Sequence, residues 1–432
     1  MKSISELINK YNRPGPRYTS YPPVPFWNNS PNEKQWISHL RASYKKDAGV
    51  DLYVHVPFCE SLCYYCGCNR IITKSHDNEK TYLVALLKEW EIYQEKMGFP
   101  LKVNSLHFGG GTPTFLSPEN LELLIVTLLQ NKSQTFIGSI EIDPRTCSDE
   151  HLDVLARQNI KRVSLGIQDF DPYVQKAINR DQSPAMVETL VDKIRSRNFS
   201  SINFDLIYGL PKQSLESISK TIEIVAKMKP DLIAFYSYAH LPEKIKNQRL
   251  IVESELPTPE LKRELYELGK KLLIENGYKD IGMDHFALPT SFLYKAMVEK
   301  KLHRNFMGYV DKKSSILIGL GPSSISDSSL SFIQNIKDVR SYEQKILSGE
   351  LPIEIGHTQT SEDLLVQDLI LQMMCHNEIS VVDKVQIPFW NEIENDILEF
   401  SKDGIVEFSN DQIKITSIGA GFVRNVAMSF DF

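Results

Sequence analysis

Hydrophobic and polar positions along this chain follow two alternating patterns. Short runs rich in β-branched and aromatic residues predict strands, and longer stretches with apolar residues at helical spacing predict helices between them. The predicted strands are Asp51–Val56, Val103–Phe108, Ile137–Ile142, Lys161–Gly166, Ser201–Leu206, Asp231–Ser237 and Lys279–Met283. The predicted helices are Glu79–Met97, Glu119–Leu129, Glu150–Gln158, Ala185–Arg197, Leu215–Met228 and Glu260–Glu275.

Start signals support several of these helices. Ser117 and Thr258 each place a capping hydroxyl just before a proline, and Ser361 opens a late helix in a similar way. Regular alternation of strand and helix predicts a parallel sheet with right-handed crossovers. We therefore predict an α/β fold, an incomplete TIM barrel of the (β/α)6 type, with catalytic groups at the C-terminal strand ends.

Two flanking regions break the alternation. Residues 11–27 hold five prolines and show no helical or strand period, so residues 1–32 are predicted to form an extended N-terminal arm that packs on the rest of the protein. The barrel domain is assigned to residues 33–350. Residues 351–432 are predicted to form a small, mostly helical C-terminal domain with helices at Ser361–Met374 and Asn391–Lys402 and short strands at Ile405–Phe408 and Gln412–Thr416.

Composition narrows the class of protein. The chain has 432 residues, of which 42% are hydrophobic and 10% aromatic, so it should fold rather than stay disordered. A net charge of −6 argues against general nucleic-acid binding. No apolar run approaches the roughly 18–20 residues that span a bilayer, and no secretory signal is recognisable. We expect a cytoplasmic protein with neither a membrane nor a nucleic-acid partner.

Four of the six cysteines fall within ten positions, directly after the first predicted strand. In a reducing compartment such a group indicates metal or redox chemistry rather than disulfides. Cys59, Cys63 and Cys66 have the spacing C-x3-C-x2-C, which suits a 4Fe–4S cluster with one iron left open. The alternative is a zinc site, but zinc usually takes a second ligand pair downstream, and Cys147 and Cys375 are isolated.

Glycines and polar residues close the following strands. Gly109-Gly-Gly-Thr-Pro113 would let a ligand approach the backbone, although it could also be only a tight turn. Glu141, Gln168 and Asp205 stand at later strand ends, where an apolar residue is the default. Each alone could be a satisfied buried polar group, but together they predict one shared pocket.

The cysteine loop followed by Gly-Gly-Gly-Thr-Pro resembles the radical S-adenosylmethionine superfamily. Further motifs, spread over nearly the whole chain, resemble the oxygen-independent coproporphyrinogen III oxidases. These motifs are Arg13-Pro-Gly-Pro-Arg-Tyr-Thr-Ser-Tyr-Pro22, Tyr65-Cys-Gly-Cys-Asn69, Asp205-Leu-Ile-Tyr-Gly-Leu-Pro-Lys-Gln213, Tyr238-Ala-His-Leu-Pro242, Gly282-Met-Asp-His-Phe-Ala287, Leu302-His-Arg-Asn-Phe306, Gly319-Leu-Gly-Pro-Ser-Ser-Ile-Ser326 and Phe422-Val-Arg-Asn-Val-Ala-Met-Ser-Phe-Asp431.

The resemblance implies oxidative decarboxylation of two propionates of coproporphyrinogen III to vinyl groups, giving protoporphyrinogen IX. It implies that Cys59, Cys63 and Cys66 bind the 4Fe–4S cluster and that Cys68 does not. It also implies two molecules of S-adenosylmethionine. The expected contacts of the first are Tyr53, Gly110, Glu141 and Ile325, and those of the second are Tyr65, Gly111, Thr112, Gln168, Arg180, Asp205 and Ala239.

The implied substrate and partners add further expectations. A tetracarboxylate needs concentrated positive charge, for which the candidates are Arg13, Arg17, Arg70, Lys212 and Arg304. The resemblance also implies a monomer and an external one-electron donor such as flavodoxin or ferredoxin. The chain departs from the family pattern by ending soon after Asp431 and by lacking an arginine just after Cys375-His-Asn-Glu, which bears on closure over the substrate.

Two other functions are compatible with the same scaffold. A haem-binding chaperone would keep the cluster without decarboxylating a substrate, but such relatives typically lack the Cys-Gly-Cys-Asn and Arg-Pro-Gly-Pro-Arg motifs that are present here. A radical enzyme acting on a different tetrapyrrole is the third possibility.

Overall fold

A large mixed sheet forms the centre of the protein. The computed structural model describes residues 4–11, 13, 15–382 and 387–431. Its strands are β1 Val50–Val56, β2 Phe58–Cys59, β3 Ile71–Ile72, β4 Val103–Gly110, β5 Lys132–Ile142, β6 Ile160–Gln168, β7 Ser201–Tyr208, β8 Leu232–Ser237, β9 Lys279–Gly282, β10 His285–Ala287, β11 His303–Asn305, β12 Gly308–Val310, β13 Leu317–Leu320, β14 Ile325–Asp327, β15 Ser331–Asn335, β16 Ile353–Thr358, β17 Glu378–Ser380, β18 Val406–Ser409 and β19 Gln412–Ile415.

Helices connect most of these strands. They are α1 Ile4–Tyr11, α2 Glu33–Ser43, α3 Glu79–Met97, α4 Pro118–Leu128, α5 Asp149–Arg157, α6 Pro172–Ala177, α7 Pro184–Ser196, α8 Leu215–Met228, α9 Pro259–Glu275, α10 Phe292–Val298, α11 Val339–Leu347, α12 Ser361–His376, α13 Trp390–Lys402 and α14 Val423–Ala427. Ser117 and Thr258 cap α4 and α9 as the sequence predicts. The cap of α12 is Thr360 rather than Ser361, because the Thr360 side chain accepts the Asp363 N–H.

The sheet has the order β16-β15-β14-β13-β1-β4-β5-β6-β7-β8-β10-β9. The adjacent strands from β13 to β8 are all parallel, and the strands outside them are antiparallel. Helices lie between the successive strands β1, β4, β5, β6, β7 and β8. This parallel core confirms the predicted α/β fold class.

The two faces of the parallel strands differ in polarity. Leu52, Phe108 and Phe204 belong to one continuous apolar core with helical residues such as Leu86 and Ile222. Residues at the alternate positions of these strands face the other side of the sheet and line a cavity of about 340 Å³, the barrel cavity. Side chains from β1, β4 to β8 and β10 bound this cavity. The sheet therefore curves around a polar interior, unlike the packed apolar interior of an ordinary TIM barrel.

Two sequence assignments need correction. The predicted strand Lys279–Met283 is not a further parallel barrel strand, since β9 runs antiparallel to β10, which runs antiparallel to β8. β16, at Ile353–Thr358, pairs with β15 and forms an edge of the large sheet. The sheet thus continues past residue 350, where the barrel domain was expected to end.

The N-terminal arm is not extended throughout. It contains α1, and its buried residues Leu7, Tyr11, Tyr18 and Tyr21 pack in one apolar cluster with residues of α12, α13 and α14. The Tyr18 hydroxyl also donates to Asp431, at 2.9 Å. The arm and the C-terminal region therefore share a core, in which β17, β19 and β18 form a small antiparallel sheet.

Among the described residues, no helix combines the length and the apolar character needed to cross a membrane.

Candidate active site

The four clustered cysteines lie on the loop that joins β1 to α3. The loop folds back on itself, because β2 and β3 pair in parallel and the Thr73 N–H donates to the Cys59 carbonyl at 2.9 Å. None of the cysteines in the described residues forms a disulfide. The thiols are therefore available on one compact loop at the C-terminal edge of the parallel strands.

A cavity of about 230 Å³, the cluster cavity, lies against this loop. The loops after β1 and β4 and the ends of β5, β6 and β7 supply its walls. The predicted site residues that line it are Cys59, Cys63, Tyr65, Cys66, Cys68, Arg70, Gly110, Gly111, Thr112, Glu141, Gln168, Arg180 and Asp205.

Each sulfur at the cavity has a polar neighbour. Thr112 Oγ1 donates to Cys59 Sγ at 3.3 Å, and Arg180 Nη1 donates to Cys63 Sγ at 3.5 Å. A hydrogen bond from Cys68 lowers the pKa of Cys66 to about 6. Burial, by contrast, raises the pKa of Cys59 to about 11. Hydroxyl and guanidinium donors of this kind stabilise thiolates.

The donor set fits an iron–sulfur cluster. Cys59, Cys63 and Cys66 face one cavity, and thiolates are the ligands that such clusters take. In the described part of the chain, no three His, Cys, Asp or Glu side chains converge tightly enough to hold a single metal ion.

The glycine loop after β4 packs directly on the cysteine loop. A Cβ on Gly111 would lie 2.8 Å from the Phe58 carbonyl oxygen and 3.0 Å from Cys59 Sγ. Gly110 has φ +112°, in the region that favours glycine, and a Cβ there would clash with the His55 ring. Side chains are excluded because the two loops touch through their backbones.

Arg180 is a buried cation at the floor of the cluster cavity. Its Nη2 donates to the Gly166 carbonyl at 2.7 Å and its Nη1 to Asp143 at 3.2 Å. Burial alone would raise the pKa of Asp143, but Arg180 and Arg145 lower it to about 2. Asp143 and Arg145 also line the cavity, and sequence reasoning missed them although Asp143 follows Glu141 with strand spacing.

The two cavities adjoin. Glu141, Ser164 and Asp205 line both the barrel cavity and the cluster cavity. Asp205 accepts hydrogen bonds from Ser164 at 2.7 Å and Asn203 at 2.9 Å, and its burial raises its pKa to about 6. Glu141 accepts the Gly110 N–H at 3.2 Å. A molecule in the barrel cavity would therefore lie next to a molecule in the cluster cavity, and both would contact these shared residues.

Three predicted cofactor contacts lie beside the cluster cavity rather than on its wall. The ring of Tyr53 stacks on that of His107, with centroids 5.9 Å apart. On the other side, Tyr53 is the register partner of Gly319, and Gly319 packs against the backbone of Ile325. The Ala239 carbonyl accepts a hydrogen bond from Gln248, which also donates to the Tyr65 carbonyl. None of the three lines the cluster cavity itself.

The candidate substrate cations separate into two groups. Arg17 pairs with Asp284 at 2.9 Å, and Arg304 Nε donates to the Arg17 carbonyl at 3.0 Å, near the barrel-cavity residue Tyr236. Arg70 donates to the Cys68 carbonyl at 2.8 Å.

Arg13 and Lys212 lie apart from these three cations. Arg13 is exposed, and Lys212 pairs with Glu255 at 3.2 Å. Neither residue lines the barrel cavity or the cluster cavity.

Comparison with known proteins gives a consistent result. Residues 53–225 match the Radical SAM superfamily. An oxygen-independent coproporphyrinogen III oxidase from Pseudomonas aeruginosa is 40% identical, over 99% of this chain and 95% of that protein. The Escherichia coli protein of the same name is 36% identical, over 98% and 94%. The solved structure of a coproporphyrinogen III oxidase from Escherichia coli superposes with a TM-score of 0.90 at 35% identity, covering 96% of this chain and 97% of that one.

Proposed function

The chain belongs to the oxygen-independent coproporphyrinogen III oxidases of the radical S-adenosylmethionine superfamily, and on this premise we propose how its residues perform the reaction. The enzyme is an oxidoreductase of haem biosynthesis that uses a 4Fe–4S cluster and S-adenosylmethionine. It converts two propionates of coproporphyrinogen III into vinyl groups. Each propionate loses CO2, gives one hydrogen atom to the radical and gives one electron to an external one-electron acceptor. When bound, the cluster and S-adenosylmethionine supply the radical that removes the hydrogen atom.

Cys59, Cys63 and Cys66 hold the cluster in this proposal. Their common cavity, the superfamily spacing and the guanidinium of Arg180 beside Cys63 support the assignment. Cys68 remains unligated, because a fourth thiolate would cap the iron that has to bind S-adenosylmethionine. Its hydrogen bond to Cys66 gives it a supporting position next to a ligand.

Two molecules of S-adenosylmethionine occupy the cluster cavity and its margins. The first contacts Tyr53, Gly110, Glu141 and Ile325. The second contacts Tyr65, Gly111, Thr112, Gln168, Arg180, Asp205 and Ala239. The charges suit the ligand, since Arg180 can bind a carboxylate and Glu141 and Asp205 can accept hydrogen bonds from ribose hydroxyls or an ammonium group.

The barrel cavity holds the porphyrinogen. The observation that carries this proposal is the wall formed by Glu141, Ser164 and Asp205, which both cavities share. A propionate that reaches this wall is next to the radical source, while the rest of the macrocycle stays in the barrel. Arg17 and Arg304 are placed to bind carboxylates at its margin, and Arg70 to do so beside the cysteine loop.

The enzyme works as a cytoplasmic monomer supplied by an external one-electron carrier such as flavodoxin or ferredoxin. A reducing compartment keeps the free thiols of the cysteine loop available for iron. The haem-chaperone alternative is disfavoured by relatives that match almost end to end and bear the oxidase name.

Product analysis tests the proposed function. The protein is reconstituted anaerobically with iron and sulfide and incubated with coproporphyrinogen III, S-adenosylmethionine and a reductant. Mass spectrometry should show the loss of two CO2 from the porphyrinogen together with 5′-deoxyadenosine. Tight haem binding without a decarboxylated product would establish the chaperone function, and decarboxylation of another tetrapyrrole alone would change the substrate.

A further inference from the structure

A basic groove borders the barrel cavity at the end away from the cysteines. This lysine groove has a volume of about 340 Å³ and is lined by Lys300, Lys301, Lys312 and Lys313, with His303 and His376 between them. It lies between the segments around β11 and β12 and helix α12. None of these residues has a role in the function proposed above.

Two of the lysines form no ion pair in the part of the chain that the structure describes, although the charge of Lys313 lies close enough to Asp327 to favour the ionised form of that carboxyl. Lys300 pairs with Glu378, and Lys301 pairs with Glu299 at 2.7 Å. No ion pair or hydrogen bond to a described residue engages the side-chain amines of Lys312 and Lys313. The single groove carboxylate, Asp368, accepts a hydrogen bond from Gln372 at 2.6 Å.

The groove has a positive potential. Burial lowers the pKa of His303, and the nearby charges of Lys313 and His376 lower it further, to about 4. In a protein with a net charge of −6, unpaired lysines of this kind mark a place for an anion.

The groove communicates with the barrel cavity. Lys312 lines both. Its chain neighbours Asp311 and Ser314 bond to Arg162 and Asp51, and Arg162 is the register partner of Ser201, so this segment lies near the N-terminal ends of β1 and β7. The wall shared with the cluster cavity is at the other end, at Asp205, which follows Ser201 by four residues on β7. At the usual rise per strand residue, the two ends are about 13 Å apart. A flat macrocycle of four pyrroles with propionate arms can bridge that distance.

We propose that Lys312 and Lys313 bind carboxylates of the propionates of coproporphyrinogen III that point away from the cluster. The inference rests on the proposed function, since it takes the barrel cavity as the substrate site. A tetracarboxylate with one propionate at Asp205 directs others toward the far end, where Arg162 is already paired with Asp311 at 2.9 Å. Among the described residues at that end, Lys312 and Lys313 form no ion pair, and contacts so far from the reacting carbon should stabilise the bound substrate and the transition state equally.

The test compares two double variants of the reconstituted holoenzyme. Lys312→Ala/Lys313→Ala removes the groove charges. Lys45→Ala/Lys46→Ala removes an exposed adjacent pair that lines neither cavity, with the same change in net charge. The KM for coproporphyrinogen III should rise at least about tenfold in the groove variant and less than about twofold in the control, with kcat and substrate-free cleavage of S-adenosylmethionine within about twofold of wild type.

Each other outcome overturns the inference. An unchanged KM in the groove variant, or an equal rise in the control, shows that the groove does not bind substrate. If the groove variant loses turnover with an electron-carrier protein but keeps it with a chemical reductant, the groove binds the electron donor and not the substrate. Should the groove variant fold poorly, Lys312→Gln alone must still raise the KM, and salt must raise the wild-type KM more than that of the variant. Absence of any vinyl product from wild type would instead refute the proposed function.

Discussion

Thr112 Oγ1 lies 3.3 Å from Cys59 Sγ and donates a hydrogen bond to it. The contact joins the glycine loop after β4 to the cysteine loop after β1, and the Thr112 N–H also donates to the Phe58 carbonyl at 2.9 Å. The two loops are therefore built as one unit. The positions of the proposed cluster ligands depend on a backbone approach that only glycine permits at residue 111.

Replacement of Gly111 should disrupt this unit. In Gly111→Ala the new Cβ would lie 2.8 Å from a backbone oxygen, so the cysteine loop must shift. We expect the loss of most of the bound iron and sulfide after reconstitution, measured by elemental analysis and the absorbance of the cluster. Gly421→Ala is the matched control, since its nearest neighbour is a side-chain atom 3.6 Å away. Normal cluster content in Gly111→Ala would contradict the argument.

Substitution of single cysteines separates ligands from neighbours. Cys59→Ala, Cys63→Ala and Cys66→Ala should each lose the cluster and all activity. Cys68→Ser should retain four irons and four sulfides and still cleave S-adenosylmethionine, because its thiol supports Cys66 only through a hydrogen bond. Iron and sulfide analysis decides the assignment, which fails if Cys68→Ser loses the cluster while one of the other three keeps it.

Period-two and helical patterns were enough to predict the parallel core, and α3 and α8 have the predicted bounds. The convergence of Glu141, Gln168 and Asp205 was predictable because parallel strands end at one edge. The strands β13 to β15 were missed because they are only three to five residues long and lack a clear alternation of polar and apolar residues. The ion pairs could not be predicted either, because Arg180 pairs with Asp143 and Lys212 pairs with Glu255, and the partners are far apart in the sequence.

Glu89 should make stability depend on pH. The carboxylate is fully buried and accepts hydrogen bonds from Gly321 N–H, Asn335 and Tyr342, at 2.8, 2.7 and 2.6 Å. Burial raises its pKa to about 7, well above the value of about 4.3 in an unfolded chain. The folded protein binds this proton more tightly than the unfolded chain does. Protonated Glu89 therefore adds to the free energy of unfolding at low pH, and this contribution is lost as the pH rises through 7.

The change attributable to Glu89 between about pH 5.5 and 8 is of the order of 2 kcal/mol. Thermal unfolding of wild type and Glu89→Gln across this range measures it. The melting temperature of wild type should fall more steeply with pH than that of the variant, since only wild type ionises at this site. Parallel pH profiles would show that Glu89 has an ordinary pKa.

Two arginines of the arm should differ in their effects. Arg17 lies at the margin of the barrel cavity beside Arg304, whereas Arg13 is exposed. We expect Arg17→Met to raise the KM for coproporphyrinogen III about tenfold, which corresponds to about 1.4 kcal/mol. Arg13→Met should change it by less than about twofold, and equal effects of the two substitutions would contradict the placement of the substrate. Removing the whole arm is a poorer test, because Tyr18 and Tyr21 belong to the C-terminal core.

The central claim is that a propionate in the barrel cavity gives its hydrogen to a radical formed in the cluster cavity, and isotope transfer tests it most directly. Coproporphyrinogen III deuterated on its propionate carbons is incubated anaerobically with the reconstituted enzyme, S-adenosylmethionine and reductant. We predict 5′-deoxyadenosine that carries deuterium, with two molecules formed for each protoporphyrinogen IX. Vinyl product accompanied by 5′-deoxyadenosine free of deuterium would contradict the account.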